Sequence, residues 1–468
     1  MADQFRFDAL GSTGNLGVRT PRLDELSSHG AVFENCYCNS PLCVPSRASM
    51  LTGRLPFRIA SYDNGSELPA STPTLTHYLR LAGWQTVLSG KMHFIGPDQL
   101  HGFEERLVGD IYPAALDWTP DWRRGLYRNP GTSVRKLRLS GPAGPTAEMR
   151  YDDRVQAAAL ACLPRLARNQ RPFFLCVSYT HPHDPFRIAE PYWNLYRDEE
   201  IDPPAARSPL PEQLHEYNRW IAFHQEQDLC PPSEEEIRRS RRAYYGMVSY
   251  VDEKVGQLLA RLEESGLAED TAVVFTSDHG EMLGDHGMWF KRTFYDGAAK
   301  VPLVIALPGA PPGRRVQQVT SLVDLFPTIL DIAGVAAPDD ALDGHSLVPL
   351  LRDDCRDWKD QALGEYLGEG VLQPMRFVRQ GRHKYVHVEE HPPLLFDLLS
   401  DPVEKVDLSG RPELACDEQH LRQVLLKDWD GPTIRRSVLR SQQERLLVSW
   451  ALLTGRPRSW DYESRPEL

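Results

Sequence analysis

The stretch from Cys43 to Arg54 holds the clearest candidate for chemistry, and it reads Cys-Val-Pro-Ser-Arg-Ala-Ser-Met-Leu-Thr-Gly-Arg. Pro45 suits the first turn of a helix and Gly53 suits its end, so the pattern predicts a short helix that begins at Cys43. A helix N-terminus presents unpaired N–H groups and a positive dipole end, which favour a thiolate or a bound oxyanion. Arg47 adds a fixed planar cation one turn further on. The alternative for a lone cysteine at a helix start is a buried structural residue.

Ionisable side chains follow three apolar runs at the point where each run ends. They are Lys91 and His93 after 85–89, His181 and His183 after 173–179, and Asp278 and His279 after 272–277, with Lys291 on the loop that follows. In an extended chain Lys91 and His93 point the same way, so both can reach one anion. Asp278 and His279 suit a divalent ion, although a helix cap and a surface imidazole would explain the same pair.

The apolar runs alternate with amphipathic helical patterns, which is typical of an α/β fold with a mostly parallel sheet flanked by helices. The helical patterns cover 21–30, 72–83, 152–167 and a long segment that starts at the capping box of Ser233 and Glu236. Ligands of open parallel sheets bind at the carboxyl edge of the strands. The sequence therefore predicts a site assembled at that edge from segments that lie far apart along the chain.

Two segments, 96–149 and 198–232, are rich in proline and weakly periodic, so we predict long loops there. Beyond residue 355 the pattern changes to a β-hairpin over 375–389 and two helical stretches. These changes predict a catalytic α/β domain over 1–355 and a smaller C-terminal α+β domain with a tail over 356–468.

The bulk composition argues against several classes of protein. The chain has 468 residues and a net charge of −12, which argues against nucleic acid as the ligand. No apolar run is long enough to span a bilayer and the N-terminus lacks a signal-peptide pattern, so we expect a cytoplasmic protein without a membrane partner. The eight cysteines are scattered, which fits reduced thiols better than a disulfide framework.

The Cys-x-Pro-Ser-Arg motif at 43–47, followed by Leu-Thr-Gly-Arg at 51–54, resembles the signature of type I sulfatases without a mismatch. In that family the cysteine is oxidised to formylglycine. The resemblance therefore implies an alkaline-phosphatase-like fold, a hydrolase of sulfate esters and a formylglycine-generating enzyme as maturation partner. By analogy, one hydroxyl of the hydrated aldehyde attacks sulfur, and a protonated His181 or Lys291 assists the departing alcohol. The second hydroxyl then helps to expel sulfate.

The resemblance also implies a role for each candidate residue. The expected metal ligands are Asp3, Gln4, Cys43, Asp278 and His279, with Ca²⁺ as the leading ion and Mn²⁺ or Mg²⁺ as alternatives. The residues expected to bind sulfate or transfer protons are Arg47, Lys91, His93, His181 and Lys291, with His183 behind them.

The N-terminus departs from the family pattern. In sulfatases the residue that matches Asp3 follows a central apolar strand, and this sequence has no such strand before it. A start codon placed too late or the loss of a core strand would both explain this, and we expect the first. Without a functional role, Asp3 would be a frayed terminal residue.

Further segments resemble choline sulfatases, a branch of this family, and they are 37–43, 62–64, 91–107, 110–113, 118–122 and 460–462. A quaternary ammonium donates no hydrogen bonds, so an aromatic face and carboxylates hold it. By this resemblance the expected substrate is choline O-sulfate, the expected assembly is a homo-oligomer, and the alcohol site comprises Asn64, Trp118, Asn129, Glu365 and Asp461. Arg128 departs from the pattern, because a cation there repels a trimethylammonium group unless a carboxylate pairs with it.

Three other functions stay open from the sequence. The chain could hydrolyse another small alkyl or aryl sulfate, or a phosphonate monoester or phosphodiester with the same nucleophile. It could also be a sulfatase-like binding protein without catalysis.

Overall fold

The computed structural model describes residues 1–15, 17–169, 171–198, 201–208, 213–338 and 342–455. Its helices are α1 (Pro21–His29), α2 (Cys43–Thr52), α3 (Leu75–Leu81), α4 (Ala147–Arg168), α5 (Glu190–Trp193), α6 (Glu216–His224), α7 (Glu234–Glu264), α8 (Asp296–Ala299), α9 (Leu325–Ile332), α10 (Val348–Leu351), α11 (Ala415–Leu426) and α12 (Gly431–Leu452). Its strands are β1 (Ala31–Tyr37), β2 (Gln85–Gly90), β3 (Glu105–Val108), β4 (Gly141–Pro142), β5 (Phe173–Ser178), β6 (Arg187–Ile188), β7 (Val273–Thr276), β8 (Lys300–Val301), β9 (Leu303–Ala306), β10 (Arg314–Ser321), β11 (Gln361–Tyr366), β12 (Met375–Gln380), β13 (His383–Val388) and β14 (Leu394–Asp397).

Two sheets meet at the N-terminus of the chain. Strands β3, β2 and β5 form a parallel sheet, and β10, β1, β9 and β7 form a mixed one in which β9 runs antiparallel to both neighbours. Ala2 makes parallel bridges to Tyr179, just past β5, and to Ser277, just past β7. These two bridges join the sheets and bring the carboxyl ends of β5 and β7 together. Helices α1, α4 and α7 pack on one side and α2, α3 and α9 on the other, which confirms the predicted α/β architecture.

A cavity of about 670 Å³ lies between β5 and β7, and Met1 lines it. Apolar side chains from both helical layers also line this interstrand cavity, among them Leu75, Leu166 and Ile329. Within the described chain, β5 pairs with β2 and β7 pairs with β9, and the edges that face the cavity meet only the first residues. The Met1 amino group donates to the Val177 carbonyl at 2.7 Å, and burial lowers its pKa. The N-terminal segment is therefore a central part of the sheet rather than a frayed end.

The predicted loop over 198–232 contains a helix, which corrects that part of the sequence analysis. Residues Glu216–His224 form α6, which buries Tyr217, Trp220 and Ile221. The helical periodicity in this short segment is hard to read because proline-rich and acidic residues surround it. The predicted loop over 96–149 likewise contains a strand, β3, which pairs with β2. Strands β1, β10 and β11 also lie where the sequence analysis predicts no strand, because their polar residues hide the alternation that marks a half-buried strand.

The four C-terminal strands form a separate antiparallel sheet in the order β11, β12, β13 and β14, and the predicted hairpin is β12 and β13. An apolar cluster joins this sheet to the catalytic part, with the Phe377 ring contacting Tyr37 and Phe294. The domain boundary at 355 stays a prediction. Among the described residues, no helix combines the length and apolarity needed to cross a bilayer.

Candidate active site

Cys43 is the first residue of α2, as the sequence predicts, and it lies deeply buried at the carboxyl edge of the joined sheets. Asn64 accepts a hydrogen bond from the Val44 N–H at 3.1 Å and so caps the helix start. The helix ends at Gly53, whose φ of +66° lies in the left-handed region that favours glycine. The contacts of the Cys43 sulfur come from other segments, with His279 Nε2 at 3.3 Å and Lys291 Nζ at 3.2 Å.

Four buried side chains form a group that could hold a metal ion. Ligand atoms of Asp3, Cys43, Asp278 and His279 all lie within 4.8 Å of one another. Asp3 Oδ1 is buried and has no hydrogen-bond partner among the described residues, which is the state expected of an oxygen reserved for a cation. The carboxylates and one imidazole suit a hard divalent ion, so the residues fit the metal that the sequence resemblance implies.

Arg47 holds this group together. Its Nη2 donates to Asp3 at 2.7 Å and its Nε donates to Asp278 at 2.8 Å. Its Nη1 donates to the Lys91 carbonyl at 2.6 Å and to the Ser178 hydroxyl at 3.1 Å. Since each guanidinium nitrogen already has a protein partner, the geometry makes Arg47 an organiser of the two carboxylates.

Two lysines flank the Cys43 sulfur. Lys291 Nζ lies 3.2 Å from Sγ, and Lys91 Nζ pairs with Asp3 Oδ2 at 2.6 Å and lies 4.3 Å from the centre of the Tyr112 ring. Burial alone would raise the pKa of the Cys43 thiol, but Lys291, Lys91 and His279 outweigh it and hold that pKa well below its usual value. The position of Sγ therefore favours negative charge.

The two histidines after β5 differ from the prediction in their contacts. Lys291 Nζ lies 2.9 Å from His183 Nε2, so His183 belongs to the lysine pair beside Cys43. Among the described residues, His181 forms hydrogen bonds with Asp152 instead, and its Nδ1 lies 2.6 Å from Oδ2. The sequence alone could not rank the two imidazoles, because both follow the same strand end and only the turn geometry separates them.

His93 lies in an aromatic group with Tyr112 and Trp118. Its ring centre is 5.1 Å from that of Tyr112 and 5.3 Å from that of Trp118, and both of its ring nitrogens lack hydrogen-bond partners in the described chain. Trp118 is 42% exposed, whereas His93 is buried. Asp110 fixes the loop by accepting the His93 N–H at 2.6 Å. The ring nitrogens of His93 are therefore available on the buried side of this group, and the Trp118 ring is exposed to solvent on the other.

The orientation of the Gln4 side chain depends on Glu281, which the sequence analysis did not identify. Its amide nitrogen donates to the buried carboxyl of Glu281, and its Oε1 accepts from Lys291 at 2.8 Å. Glu281 therefore fixes which end of the amide faces the lysine. The sequence signal was slight, since Glu281 follows Asp278 and His279 by only a few residues.

The residues predicted for the alcohol site occupy different surroundings. Asn64 caps α2, and Asn129 caps a short turn by accepting the Gly131 N–H at 3.0 Å. Arg128 pairs with Asp228 at 2.5 and 2.7 Å, which is the carboxylate partner that the sequence argument required. Glu365 is buried against the Phe57 N–H, and burial raises its pKa to about 8. Asp461 lies outside the described residues.

A second carboxylate, Glu369, pairs with Arg292, the residue that follows Lys291 in the chain. Gly368 packs so tightly on Leu42 that an added Cβ would lie 3.0 Å from a Leu42 methyl carbon. The Glu369 Oε1 atom accepts two hydrogen bonds from Arg292, at 2.9 and 2.7 Å. Burial would raise the pKa of Glu369, but Arg292 and His224 hold it below its usual value. Glu369 is therefore an ionised carboxylate beside the site.

Comparison with known proteins extends these observations. A sulfatase family model matches residues 1–335, and a model for the C-terminal region of N-sulphoglucosamine sulphohydrolase matches residues 284–429. A choline-sulfatase of Rhizobium meliloti is 42% identical over 95% of this chain and 89% of its own length. The structure is similar to a phosphonate monoester hydrolase from Silicibacter pomeroyi, with a TM-score of 0.74 and 27% identity over 91% of this chain and 93% of the other.

The fold and the site define a hydrolase of anionic esters with the alkaline-phosphatase architecture. The chain belongs to the sulfatase family. It is a sulfuric ester hydrolase that is similar to a choline-sulfatase over nearly its whole length, which confirms the resemblance carried by the motif at 43–54.

Proposed function

We propose that the protein hydrolyses choline O-sulfate to choline and sulfate, with formylglycine at position 43 and a divalent ion, Ca²⁺ as the leading candidate. The single observation that carries the chemistry is the buried group of Asp3, Cys43, Asp278 and His279 with Lys291 at 3.2 Å from Sγ. The 42% identity to a choline-sulfatase supports the choice of alcohol. A converted residue 43 would supply a hydrated aldehyde as nucleophile, and the ion would supply charge neutralisation for the sulfuryl oxygens.

The side chains around position 43 would hold the sulfate group. Lys91 and Lys291 supply fixed positive charge on two sides, and His93 offers ring nitrogens that are free of other partners in the described chain. Such preorganised charges act strongly in a buried site, because little solvent screens them. Arg47 contributes by keeping Asp3 and Asp278 aligned.

The departing alkoxide needs a proton, and the contacts favour Lys291 with His183 over His181. Lys291 donates toward both His183 Nε2 and Gln4 Oε1, so it lies in a hydrogen-bonded chain that can resupply a proton. His181 is hydrogen-bonded to Asp152, so it would influence the site by holding the segment after β5 in place.

The choline group would meet an aromatic face and a carboxylate. Trp118 offers the exposed face near His93, and Glu369 is the better carboxylate candidate than Glu365. With a pKa of about 8, Glu365 is mostly protonated at neutral pH and cannot balance a cation. The roles of Asn64, Asn129 and Asp461, the cytoplasmic location and the homo-oligomer stay predictions.

Mass spectrometry and kinetics test this function together. The tryptic peptide that contains position 43 should carry formylglycine when the protein is made with a formylglycine-generating enzyme, and that protein should release sulfate from choline O-sulfate. Protein with unconverted Cys43 should be inactive. A converted protein that binds choline O-sulfate tightly without turnover would instead support a binding protein.

The likeness to phosphonate monoester hydrolases favours a second candidate function. Those neighbours share the fold, and a similar arrangement of nucleophile and cations would suit a phosphonate monoester. A higher kcat/KM for phenyl phosphonate than for choline O-sulfate would replace the first proposal with the second.

A further inference from the structure

The C-terminal helix α12 holds the segment 116–122, the aromatic loop, which carries Trp118. Polar side chains on one face of the helix make the contacts, and they are Gln442, Arg445 and Ser449. Gln442 Oε1 accepts the Trp122 N–H at 2.9 Å, and the Ser449 hydroxyl donates to Asp117 at 3.0 Å. Between these two contacts, Arg445 Nη1 donates to the Thr119 hydroxyl at 3.0 Å. The helix therefore fixes the aromatic loop on both sides of Trp118.

Arg445 also binds the segment that caps the helix of position 43. Its Nη1 and Nη2 atoms donate to the two carboxylate oxygens of Asp63 at 2.6 and 2.7 Å. The next residue, Asn64, caps α2. The two segments pack directly on each other, because a Cβ added at Gly65 would lie 2.5 Å from the Thr119 hydroxyl oxygen. One guanidinium therefore connects the aromatic loop to the start of α2.

The guanidinium of Arg445 is fully engaged by the protein. Its Nε donates to the Ser441 hydroxyl at 3.2 Å, one turn earlier in α12, so every nitrogen of the group has a partner. The Arg445 side chain is 11% exposed, and that of Asp63 is fully buried. A bidentate pair of this kind fixes direction as well as charge. Arg445 thus has the contacts of a residue that positions its neighbours rather than one that binds substrate.

The Trp118 ring needs such support. It is 42% exposed, and its centre lies 5.3 Å from the ring centres of His93 and Tyr112. A half-exposed ring on a loop keeps a fixed orientation only if the backbone on both sides of it is held. The attraction between a cation and an aromatic face requires the cation to lie over the ring, within about 6 Å of its centre. A shift of the aromatic loop would therefore weaken binding of an ammonium group and leave Lys91 and Lys291 in place for the sulfate.

We propose that Arg445 is a positioning residue for alcohol recognition, which holds Trp118 where its face meets the ammonium of the substrate. The inference rests on the choline O-sulfate hydrolysis proposed above. It gives α12 a role in selecting cationic over neutral alcohols, whereas the groups around position 43 act on every sulfate ester alike.

Two esters of nearly the same shape provide the test. Choline O-sulfate carries a quaternary nitrogen, and 3,3-dimethylbutyl sulfate has a carbon atom in its place. With converted wild-type protein, kcat/KM should be at least about fivefold higher for choline O-sulfate, because only the cation gains from the Trp118 face. Arg445→Met should remove most of this preference, chiefly by raising KM for choline O-sulfate. Arg445→Lys keeps the charge with fewer donors and should give an intermediate preference.

Two further variants separate positioning from folding. Thr119→Val keeps the shape of the side chain and the Arg445–Asp63 pair, and it removes only the hydroxyl that Arg445 contacts. It should therefore lower the preference in the same direction. Arg440→Met is the matched control on α12, because the Arg440 side chain is 78% exposed and pairs with Glu444. Its preference should equal that of the wild type.

The ratio of kcat/KM for the two esters decides the result. An unchanged ratio in Thr119→Val or in folded Arg445→Met would overturn the positioning role, and so would a loss of kcat/KM that is equal for both esters. Equal wild-type values for the two esters would overturn it together with choline as the alcohol. Failure of converted wild-type protein to hydrolyse either ester would overturn the proposed function and the role of Arg445 with it.

Discussion

A short apolar extension before Met1 should stabilise the protein by filling the interstrand cavity. Ala2 lies opposite Tyr179 and Ser277 in parallel register, so each residue added before Met1 moves one step back along both strands. Strands β5 and β7 begin at Phe173 and Val273, and about four added residues therefore run between them. The perturbation we propose is the insertion of Val-Ile-Val-Ile between a new initiator methionine and Met1.

The structure gives the size of the effect. Both faces of the interstrand cavity are apolar, so four buried side chains should contribute about 2 kcal/mol each. Ordering four residues costs about 1.5 kcal/mol each, and about four new backbone hydrogen bonds return about 1 kcal/mol each. The expected net gain is about 4 to 6 kcal/mol, taken toward the lower end because unfolded chains already bury some surface.

Thermal unfolding measures this gain. The apolar extension should raise the midpoint by roughly 5 °C or more, and a Thr-Ser-Thr-Ser extension of the same length should leave it unchanged or lower it. The polar control separates filling of the interstrand cavity from simple removal of the buried amino group of Met1. Equal midpoints for the two extensions would refute the reasoning that the cavity accepts a strand.

Four further predictions concern the site. Trp118→Ala should lower kcat/KM for choline O-sulfate by roughly 5- to 30-fold through loss of a cation–π contact of about 1–2 kcal/mol, and an unchanged value would remove Trp118 from the alcohol site. Asp3→Asn should lower the free energy of unfolding by about 3–5 kcal/mol in urea titrations, because it removes the shared counterion of Arg47 and Lys91; a loss below 1 kcal/mol would contradict this. Burial raises the pKa of Glu365 to about 8, so the stability that protonated Glu365 contributes is complete below about pH 4 and is lost as the pH rises toward 8. Glu365→Gln should therefore make the free energy of unfolding fall less steeply between about pH 4 and pH 8. The same pH dependence of unfolding in wild type and variant would contradict this prediction. Dialysis against a chelator should abolish sulfate release and lower the thermal midpoint, and Ca²⁺ should restore both if it is the native ion.

The local part of the fold was predictable from the sequence, because its signals are local. Pro45 and Gly53 mark the two ends of α2, and the apolar runs before Lys91 and Asp278 are the strands β2 and β7. Because ligands of open parallel sheets bind at the carboxyl ends of the strands, Lys91 and Asp278 were predicted to lie in one site, as they do in the structure. Each of these inferences needs only a few neighbouring residues and one general rule of sheet topology.

Contacts between distant segments were beyond such inference. Nothing near Glu369 in the sequence indicates that Arg292 reaches it, and Glu365 carries the same residue type four positions earlier. The two glutamates differ because the Arg292 guanidinium donates hydrogen bonds to Glu369, whereas Glu365 accepts one from the Phe57 backbone N–H. The same reason separates His183 from His181, since only their three-dimensional partners tell them apart.

The charge balance around position 43 connects these features. Three buried cations, Arg47, Lys91 and Lys291, face two buried aspartates, Asp3 and Asp278, so the side chains leave an excess of positive charge at the centre. In the unmodified chain the Cys43 sulfur lies where that excess is felt, and this is why its pKa falls despite burial. An uncharged residue at position 43 would free the same excess for the oxygens of a bound sulfate. The lowered thiol pKa is therefore best understood as a property of an anion site that the sulfur happens to occupy, and it does not require thiolate chemistry.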